Sequence, residues 1–247
     1  MAWQLAGKNQ PFHFGEAVIR HLAKRVLANF GLQLVRMPSL EHFLTSRDID
    51  LVIDVGANVG QFARALRGAG YQGKIISFEP TTDAFLILAE IASQDTKWQV
   101  HKLAVGAAPG KATINVSENS VFSSITSLTT YGKAFDLSAK VVKQETVDVI
   151  TLDGFVKLED GARMFLKIDT QGFEQQVLMG AQRLLINCFG VLLELPVMHL
   201  YEGVWRFEEA VHFMRTNGFL LSQVRPVSTL KDDSASAVEL DCVFRRA

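Results

Sequence analysis

The chain has 247 residues, 48% of them hydrophobic, which suits one large domain with a substantial core or one domain plus a short extension. Its 25 basic and 26 acidic residues leave a net charge of −1, without the basic excess of a duplex-binding protein, so nucleic acid is not the expected partner. No window reaches the ~18 apolar residues of a membrane span, and no basic start leads into an apolar run of the secretory kind, so the expectation is a soluble cytoplasmic protein with no transmembrane segment.

Residues 12–30 read as an amphipathic helix. Val18, Ile19, Leu22, Val26 and Phe30 recur at three- and four-residue spacing, Arg20, Lys24 and Arg25 fall on other faces, and Gly31 is a natural stop. Such a helix can lie on a membrane surface or pack its stripe on a domain. The reading taken is packing, with residues 1–47 as a helical extension and 48–247 as the main domain.

From Leu51 the pattern changes to short apolar runs alternating with helical ones. Leu51 to Val55, Lys74 to Phe78, Trp98 to Val105, Lys111 to Val116 and Val147 to Leu152 read as strands, followed by Met164 to Ile168 and Val191 to Leu195. Helices are predicted after Gly60, over Ala84 to Ile91, Gln175 to Ile186 and Phe207 to Thr216. Phe219 to Val224 and Ala237 to Phe244 form a closing strand pair. Cys188 and Cys242 lie in apolar runs away from any CxxC pair, as reduced buried thiols would. This alternation means an α/β fold, a mainly parallel sheet with helices on both faces, whose ligands sit at the carboxyl ends of the strands.

The residues that follow those strands are therefore the candidates. After the first comes Asp54-Val55-Gly56-Ala57-Asn58-Val59-Gly60, a GxxxG loop rather than the GxGxxG of a dinucleotide site. Asp54 beside a pyrophosphate would repel it but would favour a cationic ligand such as S-adenosylmethionine. A plain tight turn is the alternative. Glu79, after the second strand, stands about 20 residues past the loop, the spacing of a carboxylate that takes ribose hydroxyls. Lys167 and Asp169 alternate onto one side of a strand end, where charges need a partner or a cleft; an ion pair bracing the sheet and an N-cap role for Asp169 are the alternatives. Glu194 and His199 follow the next strand, and histidine is a residue type suited to general-base work near neutral pH.

Taken together, DLVIDVGANVGQFARALR at 50–67, GKIISFEP at 73–80, HKLAVGAAPGKATINVS at 101–117, SSITSL at 123–128, VDVITLD at 147–153, FLKIDTQGFEQQVLMGA at 165–181 and VLLEL at 191–195 resemble the FkbM family of methyltransferases. The resemblance implies a Rossmann-like class I methyltransferase fold with an antiparallel C-terminal strand and S-adenosylmethionine as cofactor. It also implies O-methylation of a hydroxyl acceptor, a carbohydrate in a glycan, glycolipid or natural product. On it, Asp54, Gly56, Ala57, Asn58 and Gly60 make the cofactor loop and Glu79 holds the ribose. Lys102, Leu103 and Ala104 lie near the adenine through backbone or packing, and Asp169 lies by the methionine moiety or the acceptor. The chain reads KIDTQGFE where the family pattern reads KIDVEGFE, so Thr170 and Gln171 bear on acceptor choice rather than on methyl transfer.

An alcohol needs a base as its proton leaves, and the candidates in order are Asp169, His199 and Glu194, with Lys167 orienting Asp169 or an acceptor hydroxyl. The hydroxyl-rich stretch 118–146 reads either as a solvated loop or as a lid, with Ser123 and Ser124 on the acceptor and Tyr131 and Trp205 as stacking faces or as core. No ligand-spaced His/Asp cluster appears, so no metal is expected. A homo-oligomer is left open. The competing readings are a cofactor-binding protein of this fold without turnover and an N-methyltransferase on a small molecule. Against a base-modifying enzyme stands the absence of a [DNS]PP[YF] segment.

Overall fold

The computed structural model describes residues 14–30, 39–157, 159, 161–230 and 232–247, and contacts divide the chain into two units, 1–39 and 40–247. In the first unit, α1 (Phe14–Asn29) forms where the apolar spacing predicts a helix, with Leu22, Val26 and Phe30 exposed. Residues 12 and 13 and the expected stop at Gly31 lie outside the described residues. The second unit opens with α2 (Leu40–Thr45), which buries Phe43 and Leu44 in the core of that unit. This unit spans residues 40–247.

The chain then runs β1 (Leu51–Val55), α3 (Gln61–Gly68), β2 (Lys74–Phe78), α4 (Thr82–Ala92), β3 (Trp98–His101), β4 (Ala104–Val105) and β5 (Gly110–Ser117). It continues through α5 (Thr130–Phe135), β6 (Val141–Ile150), α6 (Leu152–Phe155), β7 (Met164–Ile168), α7 (Glu174–Met179), α8 (Gln182–Ile186) and β8 (Cys188–Pro196). It ends with α9 (Phe207–Thr216), β9 (Phe219–Thr229) and β10 (Ala237–Arg246). The main sheet has the order β3-β2-β1-β7-β8-β10-β9. All its neighbours pair in parallel except β10, which is antiparallel to both β8 and β9. This is the expected Rossmann-like sheet with a reversed C-terminal strand.

Both faces of the sheet are covered, which explains why its central strands read as continuous apolar runs. Ile53, Val55, Leu166 and Ile168 face α7, α8 and α9 through Val177, Leu185 and Met214. Val52, Phe165, Leu192 and Val243 face α2, α3 and α4 through Phe43, Ala63 and Leu88. Side chains alternate along each strand, so Asp54, Lys167 and Glu194 fall on the second of these faces, at the carboxyl ends.

Three expected elements differ. Trp98 to Val105 is not one strand: the chain breaks at Lys102-Leu103, and β4 joins a separate three-stranded sheet of order β4-β6-β5. That small sheet also takes the two strands predicted around Lys111 and Val147. Strand β6 begins at Val141, so part of the expected loop is strand; Val141 to Gln144 are exposed and show no apolar alternation to announce it. The helix predicted over Gln175 to Ile186 is broken into α7 and α8 at Gly180, where the backbone packs so closely that a Cβ would stand 2.0 Å from the Gly106 carbonyl. Among the described residues no helix is long and apolar enough to cross a membrane.

Phe165 is fully buried between the strands and α2, with its ring 5.6 Å from that of Phe43 in an edge contact. Phe165→Ala should cost ~3–5 kcal/mol, because the cavity it leaves lies in a rigid sheet. The expected readout is a lower urea midpoint with an unchanged slope.

Candidate functional site

A polar row crosses the apolar sheet at the carboxyl ends. Trp98 Nε1 donates to Ser77 Oγ at 3.0 Å, and Ser77 Oγ donates to Asp54 Oδ2 at 3.1 Å. Lys167 Nζ lies 3.0 Å from Asp54 Oδ1, donates to the Gly56 carbonyl at 2.9 Å and sits 3.5 Å from Asp169 Oδ2. Register puts these groups in line, with Ser77 beside Asp54 on β2 and β1, and Asp54 beside Lys167 on β1 and β7. Burial works against the Lys167 ammonium, but Asp54 and then Asp169 outweigh it and hold its pKa above the ordinary lysine value.

The loop after β1 is bent by three left-handed residues, Gly56 at φ 76, Asn58 at φ 49 and Gly60 at φ 85. A Cβ on Gly56 would stand 1.8 Å from the Asp169 carbonyl, so the loops after β1 and β7 meet without room for a side chain. Glu79 is buried and ties the loops together: Oε1 accepts from Thr81 N at 2.9 Å and Thr81 Oγ1 at 2.6 Å, while Oε2 accepts from Asn58 N at 2.9 Å. Burial raises its pKa, and those bonds together with Lys167 oppose the rise.

A cavity of about 490 Å³ opens over these strand ends. Gly56, Ala57 and Asn58 lie at its edge, Glu79 in its wall, and Leu103, Ala104 and Phe78 along an apolar side. Lys167, Asp169 and Glu194 line its floor, and Ser123 is part of the covering segment. Asp54 and Gly60 stand behind the lining and brace it. The carboxylates outnumber the cations, which fits a ligand with cationic groups, ribose hydroxyls and a flat apolar ring, and would repel a pyrophosphate.

Five expected site residues are placed elsewhere. Lys102 is exposed and donates to Thr82 Oγ1 at 2.8 Å, outside the lining, because the chain turns there between the two sheets. Ser124 is buried and its hydroxyl is already used, donating to the Gln171 carbonyl at 2.6 Å and accepting from Thr126 N at 2.9 Å. Tyr131 lies outside the lining, at the surface beside Phe135 and Met198. Trp205 is core, packed edge-on to Phe213 at 5.6 Å. His199 is exposed and contributes only a backbone carbonyl, to Thr129 Oγ1 at 3.1 Å, so it does not line the cavity as a base would. Nor does Asp169 cap α7: Glu174 Oε1 takes Thr170 N at 2.9 Å and Gly172 N at 3.1 Å instead.

Gln171, expected to bear on acceptor choice, bridges Asp169 and Glu194. Two further groups went unpredicted, Tyr201, which backs Gln171, and Glu239. Glu239 reaches the cavity from β10, accepting from Ser228 Oγ at 3.0 Å. Burial, then Asp169 and Glu174, push its pKa up to about 7 against the Ser228 bond. Burial, then Asp169 and Glu239, also raise that of Glu194 well above the usual carboxylate range. Among the described residues no group of three or more side chains is arranged to hold a metal ion.

The methyltransferase FkbM domain matches residues 54–221, about two thirds of the chain. The chain belongs to the FkbM methyltransferase family. It is an S-adenosylmethionine-dependent methyltransferase. No curated protein matches it. Solved structures that resemble it include magnesium protoporphyrin IX methyltransferase from Synechocystis with bound S-adenosylmethionine, at 11% identity and TM-score 0.47 over 98% of this chain and 87% of that one. Another is a ribosomal RNA methylase from Streptococcus thermophilus, at 11% identity and TM-score 0.44 over 83% of this chain and 93% of that one. At such identities the likeness says nothing about the acceptor.

Lys167→Met should leave Asp54 as an uncompensated buried charge and cost ~3–5 kcal/mol in urea unfolding, and adding Asp54→Asn should recover much of that loss. Glu239 holds its proton in the folded chain up to a pH of about 7, against 4.5 for an ordinary glutamate. Its contribution to stability is therefore present below pH 4.5 and lost as the pH rises through that window, by on the order of 3 kcal/mol. Glu239→Gln should remove this fall, so the variant gains on the parent between pH 5 and 8 in parallel urea titrations.

Proposed function

We propose that this methyltransferase is an O-methyltransferase acting on a hydroxyl, that of a sugar in a glycan, glycolipid or natural product. The observation that carries the reading is the state of Asp169. Its side chain is about one-third exposed to the cavity, with Oδ2 facing Lys167 and Oδ1 held by Gln171. It is a carboxylate fixed in place yet open to an incoming hydroxyl.

S-adenosylmethionine, when bound, supplies a methyl group on a sulfonium that leaves as a neutral thioether. Gly56, Ala57 and Asn58 let it approach the loop closely, Glu79 offers its carboxylate for the ribose hydroxyls, and Leu103 and Ala104 form an apolar wall. Asp169 accepts the proton of the acceptor hydroxyl as the new C–O bond forms, and Lys167 keeps that carboxylate turned to the cavity. Glu194 binds an acceptor hydroxyl beside it, and Ser123 offers a hydroxyl from the covering segment. The remaining task is alignment of acceptor oxygen and methyl carbon, which the rigid strand ends perform.

The test is a panel of methyl glycosides incubated with the enzyme and S-adenosylmethionine, read by mass spectrometry for the gain of one methyl. Asp169→Asn should lower the rate ~10²–10⁴-fold and leave calorimetric binding of S-adenosylmethionine within a few-fold of the parent. An unchanged rate would remove Asp169 as the base. A methyl found on nitrogen would move the assignment to amine acceptors, and cofactor binding with no turnover on any alcohol would revive a binding protein.

A further inference from the structure

Gln171 sits in left-handed backbone at φ 56, a conformation costly for a residue with a side chain and found where a site demands it. Its polar groups are engaged on several sides. The backbone carbonyl accepts from Ser124 Oγ at 2.6 Å, and Oε1 accepts from the Tyr201 hydroxyl at 2.8 Å. Nε2 donates to Asp169 Oδ1 at 2.9 Å and to Glu194 Oε1 at 2.8 Å. The two N–H groups of the amide thus serve two carboxylates from different strand ends. The opposite orientation would set the amide oxygen against both anions, so the network leaves one rotamer.

We propose that Gln171 is a positioning residue for methyl transfer, whose carboxamide spaces and orients Asp169 and Glu194 across the cavity. This rests on the reading of Asp169 as the base. The family pattern carries a glutamate at this position, so the amide is this chain's own departure, and it takes one negative group out of the cluster. A lysine or arginine here would pair with the carboxylates and blunt the base. The charged and titratable groups around the pair are Lys167 on β7, Asp54 on β1, Glu174 on α7, Tyr201 after β8, and Glu239 and Asp241 on β10. With so many carboxyl groups and a single buried lysine already committed to Asp54, the amide supplies the donors that hold these two at a fixed separation. Without it, Glu194 would retain its proton to higher pH and donate it to Asp169 as a hydrogen bond, occupying the oxygen that the acceptor needs.

Two variants test this. Gln171→Met keeps the length and removes both donors, and Gln171→Glu keeps the shape and brings an acid. The protein is labelled with carbon-13 at aspartate and glutamate carboxyls, with the two signals assigned from Asp169→Asn and Glu194→Gln. In both Gln171 variants Glu194 should bind its proton at least ~10-fold more tightly, while calorimetric binding of S-adenosylmethionine stays within ~3-fold. On a methyl glycoside that the parent methylates, the acid limb of kcat should move to higher pH with KM unchanged. Glu194 titrating as in the parent in a variant that gives a parental circular dichroism spectrum overturns the proposal. If the methionine variant does not fold, Gln171→Leu, which also lacks both donors and adds no charge, decides alone. An Asp169→Asn enzyme with parental turnover would overturn the base assignment instead, and the carboxyl titration distinguishes the two failures.

Discussion

The ion pair between Lys167 and Asp54 is the interaction on which the rest of the site depends. Both residues lie in strands whose other side chains are fully apolar, so neither charge has water to turn to. An isolated ammonium or carboxylate there would be untenable, and together they are tolerated because the row continues through Ser77 to the Trp98 indole. The third donor contact of Lys167, to the Gly56 carbonyl, extends the pair into the loop after β1. One buried lysine thereby ties the middle strands of the sheet to the loop that edges the cavity. Such a row is weak as a source of stability compared with leucines in the same places. Its use is positional: it leaves one arrangement for the loop.

Around that fixed point the cavity is rich in carboxylates and poor in cations. Glu79, Asp169, Glu194 and Glu239 line it, with Lys167 already paired and Arg225 engaged by Asp241 at 2.9 Å. Burial and mutual repulsion push Glu194 and Glu239 toward their neutral forms, which eases the accumulation of charge. Neutral hydrogen-bond donors do the rest: Thr81 and Asn58 on Glu79, Ser228 on Glu239, and Gln171 on Asp169 and Glu194. A site arranged in this way attracts positive charge such as that of S-adenosylmethionine.

Much of this was legible in the sequence. A parallel α/β sheet sets its ligands at strand ends, so finding the apolar runs was enough to single out Asp54, Gly56, Asn58, Glu79, Lys167, Asp169 and Glu194. The failures share a cause. Position after a strand does not say which way the chain turns next. Beyond β8 the chain seats Leu200 and Tyr201 inward, which leaves His199 facing out. Aromatic and hydroxyl types carry the same ambiguity: Trp205 and Ser124 have the chemistry of sugar contacts but are spent on packing and on a backbone bond.

The sequence by itself determined the alternation of strands and helices and the loop chemistry at their junctions, because periodicity, glycine placement and acidic spacing are local properties of the chain, and its motifs carried the resemblance to a methyltransferase family. The tertiary structure alone decided which distant groups meet. Glu239 reaches the site from a strand 45 residues beyond Glu194 because β10 inserts antiparallel between β8 and β9. Gln171 becomes a bridge only once β7 and β8 lie side by side and Tyr201 folds back onto it. Hydrogen bonds between remote residues depend on strand order and register, and those are settled by the packing of the whole sheet.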